Sequence, residues 1–464
     1  MHEAPSTEHM HEAPSTKHEA PRAQRAPRVR FALVTFGCRV NQADSLRLEE
    51  ALLARGGEAT SAADADLVVV NTCSVTATAD QGARQTIRRI ARENPSARIV
   101  ATGCYATRCG DDVAALPNVV RVIRNDEKDD FIATLADGNG PCGKPIEPGI
   151  AGRTAFTLRV QTGCEERCSY CVIPSTRGAS RSLPPRQILA EVERVAAAGF
   201  HEVTLTGVHL GSYGRDLAEG ASLVDLLRAL ERVDADVRFR ISSLEPMDCT
   251  PEIVDLVARS DRFLPHFHLP LQHASDRILR AMRRPYTCET YRRLVDDIHA
   301  RLPHASIGSD MIVGFPGESD ADFEANREYL PDSPLTHLHV FPYSDRPGTV
   351  ASRMAGKVHG AIVRDRGLAL RRIGAELTRR FHASQVGTVR AGLTLEDGTL
   401  VVTDNYLKVR IPPGQPRNTR VLVRIHGTGS PAQSGTLTGT ATRVLAMRRA
   451  DPAVRPATPE KYRR

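Results

Sequence analysis

Within the eight residues Cys164-Glu165-Glu166-Arg167-Cys168-Ser169-Tyr170-Cys171, three thiols recur in the spacing C-x3-C-x2-C, just after a strand-like run. No fourth cysteine completes the set locally. Thiolates are soft ligands that select zinc, copper(I) or iron–sulfur clusters. Structural zinc normally takes four closed ligands, often as two C-x2-C pairs. A cubane cluster held by three cysteines instead leaves one iron open to a ligand that is not protein. For the triplet alone, a zinc site or reduced surface thiols is the plain alternative.

A loop of this kind needs a strand end to carry it, and the sequence around it repeats that unit. Six strand candidates follow one another at Phe156–Gln161, Glu202–Val208, Val237–Ser243, Phe267–Gln272, Ser306–Phe315 and Thr336–Tyr343. Amphipathic helical patterns such as Pro185–Ala198 and Asp320–Leu330 separate them. Six such units predict a partial (β/α)6 barrel over residues 150–382, with its chemistry in the loops at the strand C-termini. Thr206, Gly207, Ser243, Glu245, Gln272, Asp310 and Gly314 fall on that rim. His266 and His268 alternate with apolar residues and read as packed or rim histidines. Arg177 and Arg181, in the run Pro174–Ser182, suit phosphate or carboxylate and point to a substrate or interdomain role; a solvated loop has the same composition. Cys249 and Cys288 have no partner spacing.

Residues 28–140 show a second alternation. Strand candidates Phe31–Phe36, Leu67–Asn71, Arg98–Thr102 and Val119–Ile123 interleave with helix candidates Ala43–Arg55 and Ala77–Arg92, which predicts an open α/β sheet. Cys38, Cys73 and Cys104 each follow the carboxyl end of a strand. Those ends share one edge of such a sheet, so three cysteines far apart in sequence converge on a second three-thiol site. Cys109 does not follow a strand and Cys142 lies in a Gly/Pro linker, so both read as bystanders.

Short β-like runs with Gly/Pro/Asp turns occupy residues 385–449 and predict a small antiparallel barrel. From Gln385 to Arg464 there are 13 Lys/Arg against five Asp/Glu, a net of +8 in a chain of net +7. That excess argues for nucleic acid as a partner. Residues 1–27, with repeats of His-Glu-Ala-Pro, and 450–464 read as disordered tails. With 464 residues the chain is too long for one core, and no apolar run approaches a membrane span. A soluble, cytoplasmic protein without a secretory signal is expected.

Together these elements resemble the radical S-adenosylmethionine (SAM) methylthiotransferases over about residues 30–447. The resemblance rests on Gly37-Cys38-Arg39-Val40-Asn41-Gln42, Asn71-Thr72-Cys73, Gly103-Cys104, the Cys164 loop, Ser180-Arg181-Ser182, Ile312-Val313-Gly314-Phe315-Pro316-Gly317-Glu318 and Phe341-Pro342-Tyr343-Ser344. The last barrel resembles the family's TRAM domain, an RNA-binding module. Of three subfamilies, Gly37–Gln42 is closest to the enzymes acting on N6-threonylcarbamoyladenosine in tRNA, with Arg39 for the usual Lys. Asp44 departs from that pattern, and so does Gln272-His273-Ala274-Ser275-Asp276.

The resemblance implies two [4Fe-4S] clusters and SAM. Cys164, Cys168 and Cys171 would hold the cluster that binds and cleaves SAM, and Cys38, Cys73 and Cys104 an auxiliary cluster that delivers sulfur. Thr206, Gly207, Ser243, Glu245, Gln272, Asp310 and Gly314 become cofactor-binding positions, and Arg177 and Arg181 substrate-binding ones. The implied reaction is methylthiolation of C2 of adenosine 37 in the tRNA anticodon loop. It would use an electron donor such as flavodoxin or ferredoxin and an external sulfur source, with the enzyme acting as a monomer. The base would be chosen near the clusters while the barrel anchors the RNA backbone. Methylthiolation of isopentenyladenosine or of a ribosomal protein, and a non-catalytic metal-containing RNA-binding protein, are the competing readings.

Overall fold

The computed structural model describes residues 29–136, 147–149, 153–218, 220–428 and 436–445. The expected tails 1–27 and 450–464 and the Cys142 linker lie outside the described residues.

The first sheet is parallel throughout, in the order Glu58–Ala59, Arg30–Thr35, Leu67–Thr72, Arg98–Gly103, Val119–Ile123. Its central strands are apolar at nearly every position because both faces are covered. Val68, Val70, Ile99 and Ala101 point to the helix Ala77–Glu93, where Ala83, Ile87 and Ile90 meet them. Val69 and Val100, on the opposite face, meet Leu48, Ala51 and Leu52 of the helix Arg39–Ala54. The two-residue edge strand Glu58–Ala59 was not anticipated; it is too short to show an alternation.

All six expected strands of the central region form, in two parallel three-stranded sheets. One has the order Arg238–Ile241, Glu202–Thr206, Phe156–Arg159; the other His266–His268, Ser306–Val313, His337–Pro342. A single bridge, Phe239 to Phe263, leads from the first sheet towards the second. One continuous apolar core runs beneath them, and Leu46 from the first region's helix enters it. A fully buried leucine contributes about 1.5–3 kcal/mol, so this contact helps dock the two regions.

The C-terminal barrel closes in the order Val389–Leu395, Leu400–Thr403, Lys408–Arg410, Thr436–Val444, Arg420–Thr428. It is not purely antiparallel as expected, because Lys408–Arg410 pairs in parallel with Thr436–Val444. A 26-residue helix, Gly360–Gln385, leads into it. This helix was missed, since its buried positions include Arg366, Gly367 and Gly374 and leave only Leu370 and Leu377 as apolar markers.

The charge reading also needs correction. Arg390 pairs with Asp404, and Arg420 pairs with Asp236 of the core. After residue 445 lie six Lys/Arg against two Asp/Glu, so +4 of the +8 falls outside the described residues. Among the described residues no helix is long and apolar enough to cross a membrane.

Candidate cluster sites and substrate cavity

The scattered cysteines converge as the sheet topology requires. Cys38 is the N-cap of the helix Arg39–Ala54, Cys73 follows the strand Leu67–Thr72, and Cys104 opens a short helix after Arg98–Gly103. All three line one cavity of about 750 Å³. Gly37, at φ +91°, must be glycine, because a Cβ there would lie 2.5 Å from Cys73 Sγ. Each sulfur has a donor at hand. Asn125 Nδ2 is 3.6 Å from Cys104 Sγ, Arg177 also donates to Cys104, the Val75 N–H faces Cys73, and Cys38 sits at a helix N-terminus.

Beside this triplet lies a buried charge cluster that sequence reasoning did not find. Asp44 is fully buried and ion-paired to Lys128 (3.0 Å), Arg159 (2.5 Å) and Arg177 (3.2 Å). Burial pushes its carboxyl up, but Lys128, Arg159 and Arg177 together outweigh that and hold it well below the usual range. Arg159 shares a second carboxylate, Asp129. The positive charge left over faces the thiols: Cys104 and Cys38 raise the affinity of Arg177 for its proton against the cost of burial. Three thiolates and a cluster would supply the missing negative charge.

Arg177 is therefore no open substrate contact. It is 3% exposed and tied to Asn41, Asp44 and Thr162, so it bridges the first region to the core and meets the cavity only as part of its wall. Arg181 is exposed on the small ribbon Arg181–Ser182.

The compact triplet has the same donor arrangement on a different footing. Cys168 Sγ is 3.1 Å from Arg284 Nη1, and Cys171 Sγ accepts from the Ile173 N–H at 3.4 Å. Cys164 faces His209, whose other nitrogen meets Asp248 Oδ2 at 2.7 Å. Although burial opposes its charge, Asp248 and then Cys164 push His209 up to about 10. All six cysteines are free thiols. Burial lifts Cys73 to about 11 and Cys171 to about 12, so metal must displace their protons. Three thiols, each with its own N–H donor, is a set that fits a cluster with one open iron. The loop thiols do not line the large cavity; Ile173, two residues beyond Cys171, does.

The expected cofactor positions divide. Thr206, Gly207, Ser243 and Asp310 line the cavity. Glu245 lies outside it and forms an ion pair with Arg284, behind Cys168. Gln272, at φ +70°, exchanges backbone hydrogen bonds with Asp310 and Ile312. Gly314 offers no open face for a flat adenine on its Cβ side: a Cβ there would lie 2.4 Å from Val363 Cγ2. Glu318 closes the same turn, accepting from Gly314 and Phe315 and pairing with Arg366 at 3.0 Å.

Of the two readings of His266 and His268, packed or rim, the structure supports the rim. His266 and His268 line the cavity with His337 and His339. Asp310 Oδ1 lies 3.1 Å from His268 Nε2, without hydrogen-bond alignment, and 3.2 Å from His339 Nδ1. Hydrogen bonding to Asp310 raises His339, whereas burial and then His268 lower His337 to about 3. The signal for this cluster was the repeated His-x-His at 266–268 and 337–339, on the two parallel strands that flank Ser306–Val313.

Residues 158–330 match the radical SAM superfamily, and residues 30–124 match uncharacterized protein family UPF0004. The threonylcarbamoyladenosine tRNA methylthiotransferase MtaB of Aquifex aeolicus is 36% identical over 82% of this chain and 96% of its own. The chain belongs to the radical SAM methylthiotransferases. The MtaB of Thermotoga maritima is 35% identical over 80% of this chain and 88% of its own. The tRNA-2-methylthio-N(6)-dimethylallyladenosine synthase of Mycobacterium bovis is 34% identical over 75% and 72%, so identity alone does not separate the two substrate groups. The radical SAM methyltransferase TsrM of Kitasatospora setae shares the fold at TM-score 0.50 and 17% identity, over 70% of this chain and 77% of its own. This methylthiotransferase is an enzyme that works with SAM and [4Fe-4S] clusters, which removes the non-catalytic reading.

Proposed function

We propose that the enzyme adds a methylthio group to C2 of N6-threonylcarbamoyladenosine at position 37 of tRNA. The observation that carries this is the match along nearly the whole of the Aquifex aeolicus relative that bears that activity in its name. Cys164, Cys168 and Cys171 hold the SAM-binding cluster, and Cys38, Cys73 and Cys104 the auxiliary one. When bound, these groups supply the radical, the sulfur and the methyl group.

The protein's part is placement. Thr206, Gly207, Ser243 and Asp310 share with the Cys38 triplet the wall of the cavity in which SAM and the base lie. Asp310, held ionised by His268 and His339 against the cost of burial, orients the polar edge of the substrate. Glu245 fixes Arg284 behind Cys168, and Gln272 and Gly314 shape the turns that hold Asp310 and the Glu318 cap. Arg177 braces the auxiliary site, and exposed Arg181 is free to meet an RNA phosphate. A flavodoxin- or ferredoxin-type donor, an external sulfur source, a monomeric state and a cytoplasmic location complete the proposal. We further propose domains at 28–140, 150–382 and 385–449.

The dimethylallyladenosine reading is favoured by the Mycobacterium bovis relative. Against it, the cavity wall carries Arg39, Asp310 and His339, which suit a polar, charged substituent better than an apolar one. Mass spectrometry of tRNA nucleosides from a strain lacking the gene decides. Loss of 2-methylthio-threonylcarbamoyladenosine alone is expected. Loss of the methylthio-isopentenyl nucleoside instead would move the enzyme to the other group.

A further inference from the structure

The barrel reaches into the catalytic cavity. Its loop between Leu400–Thr403 and Lys408–Arg410 is pinned to the core: Arg240 donates to the carbonyls of Thr403 (3.3 Å) and Asp404 (3.0 Å). Asn405 donates to the His304 carbonyl at 2.8 Å. Arg240 is itself fully buried and paired with Glu202. The loop so held presents Tyr406 at φ +66°, a left-handed conformation that a bulky residue seldom adopts. The Tyr406 ring lies 4.5 Å from that of His266, and its hydroxyl accepts from Arg39 Nη2 at 2.7 Å.

Arg39 and Tyr406 form a partition. Both line the large cavity and also a second one of about 270 Å³ on its far side. Arg153 and Lys408 line that second space, and its one acid there, Glu202, is already paired with Arg240. Among the described residues no carboxylate lies at ion-pair distance from Arg39 or Arg153. Burial, and then Arg39, lower the affinity of Arg153 for its proton, as expected where neighbouring cations lack an anion. His266 lines the large cavity, and its buried Nδ1 has no hydrogen-bond partner. Cations without an anion among the described residues describe a site built for an anionic ligand, and the unpartnered imidazole nitrogen leaves room there for a further polar contact.

We infer that Arg39, steadied by Tyr406 with Arg153 behind it, receives the carboxylate of the threonylcarbamoyl group and thereby sets substrate choice. The inference rests on the proposed function and extends it. C6, which carries N6, and C2 flank the same ring nitrogen of adenine, so a substituent on N6 can run along the edge that C2 shares. Arg39 follows Cys38 directly in the chain, so its side chain starts beside the site where C2 must lie. The barrel thus takes part in choosing the base, through Tyr406, which departs from the expectation that it only anchors the backbone.

The test uses the full-length enzyme with both clusters reconstituted, and anticodon stem-loops with threonylcarbamoyladenosine, its threonyl methyl ester, or adenosine at position 37. Arg39→Gln should weaken binding of the acid by about tenfold or more, the scale of one lost charge-assisted hydrogen bond. It should leave the ester and the plain adenosine unchanged. The wild-type enzyme should discriminate against the ester by a similar factor, and the two losses should not add. Arg39→Lys should recover part of the loss, and Tyr406→Phe should lose less than Arg39→Gln. Should Arg39→Gln disturb iron content, the ester and Tyr406→Phe carry the test. Equal weakening of all three stem-loops by Arg39→Gln would mean that an RNA phosphate is the anion, and would overturn the inference. So would a wild-type enzyme indifferent to esterification that still methylthiolates threonylcarbamoyladenosine. An enzyme that methylthiolates only the isopentenyl nucleoside would instead overturn the proposed function beneath it.

Discussion

The two cysteine triplets use the same ligands and differ in how the chain assembles them. Cys164, Cys168 and Cys171 lie in one loop after one strand, away from the main cavity wall. Cys38, Cys73 and Cys104 come from three strand ends of a parallel sheet, and all three form part of that wall. The first set is specified by local spacing. The second exists only once the sheet has formed. A site that must meet a substrate between two regions is thus built from topology, whereas a site that must bind one small cofactor is built from a loop.

The largest effects should come from removing each triplet in turn. Changing Cys164, Cys168 and Cys171 to Ala should leave about half the iron, by the two-cluster stoichiometry, and abolish formation of 5′-deoxyadenosine. The Cys38/Cys73/Cys104 triple Ala variant should keep about half the iron, still form 5′-deoxyadenosine with dithionite, and make no methylthio product. Loss of all iron in either variant would collapse the two sites into one.

Asp44→Asn should come next, and it should act on one triplet only. Removing one member of a buried ion pair costs about 3–5 kcal/mol, because the partners stay charged and buried. We expect iron lost from the Cys38 site and kept at the Cys164 loop, read by iron analysis together with SAM cleavage. The pH dependence has a definite sign. The Asp44 carboxyl is held below its usual range in the folded chain, so the stability it contributes is present above about pH 4 and falls as the pH drops further. Denaturant unfolding from pH 7 to pH 3 should therefore lose less stability on acidification in Asp44→Asn than in wild type.

Arg284→Gln should give a smaller, mirror-image effect. Loss of the charged donor to Cys168 removes about 1.5–3 kcal/mol of interaction with the sulfur. The potential of the loop cluster should fall, as the missing positive donor no longer favours the reduced state, and SAM cleavage should slow. The spectrum of the auxiliary cluster should stay as in wild type. A shift in both would mean that the two sites are less separate than their geometry shows.

The smallest expected effect concerns salt. Each phosphate neutralised by the RNA-binding surface should contribute about 0.7–0.9 log units of affinity per decade of salt. Because Arg390 and Arg420 are committed to ion pairs, their Ala variants should change that slope little. Removing residues 446–464, with their net +4, should flatten it.

What the sequence disclosed follows the same division. The C-x3-C-x2-C loop, the six core strands and the strand-end placement of Cys38, Cys73 and Cys104 were legible because local period and spacing encode them. The Asp44–Lys128–Arg159–Arg177 cluster was not, because its members are widely separated and each reads as an ordinary surface charge until the fold buries it. Arg177 was noticed for its charge, with a substrate or interdomain role open, and only the fold shows it buried between the first region and the core. Gly314 showed a turn but not that Val363 would fill it. His266 and His268 looked like the inward half of an alternating strand, which they are; only the pairing of that strand with Ser306–Val313, and of that with His337–Pro342, reveals the shared cavity.

The long helix Gly360–Gln385 fixes a length as well as a connection. Val363 near its start seats on Gly314 at the Glu318-capped turn, and Gln385 at its end meets Asn405, the neighbour of Tyr406. A helix advances about 1.5 Å and turns about 100° per residue. One residue added between those contacts would swing the barrel by more than a quarter turn and carry Tyr406 out of the cavity. The turn at Gly314 and the barrel loop at Asn405 are thereby held to a common ruler, and insertions in this segment should be tolerated only where they leave its reach and phase intact.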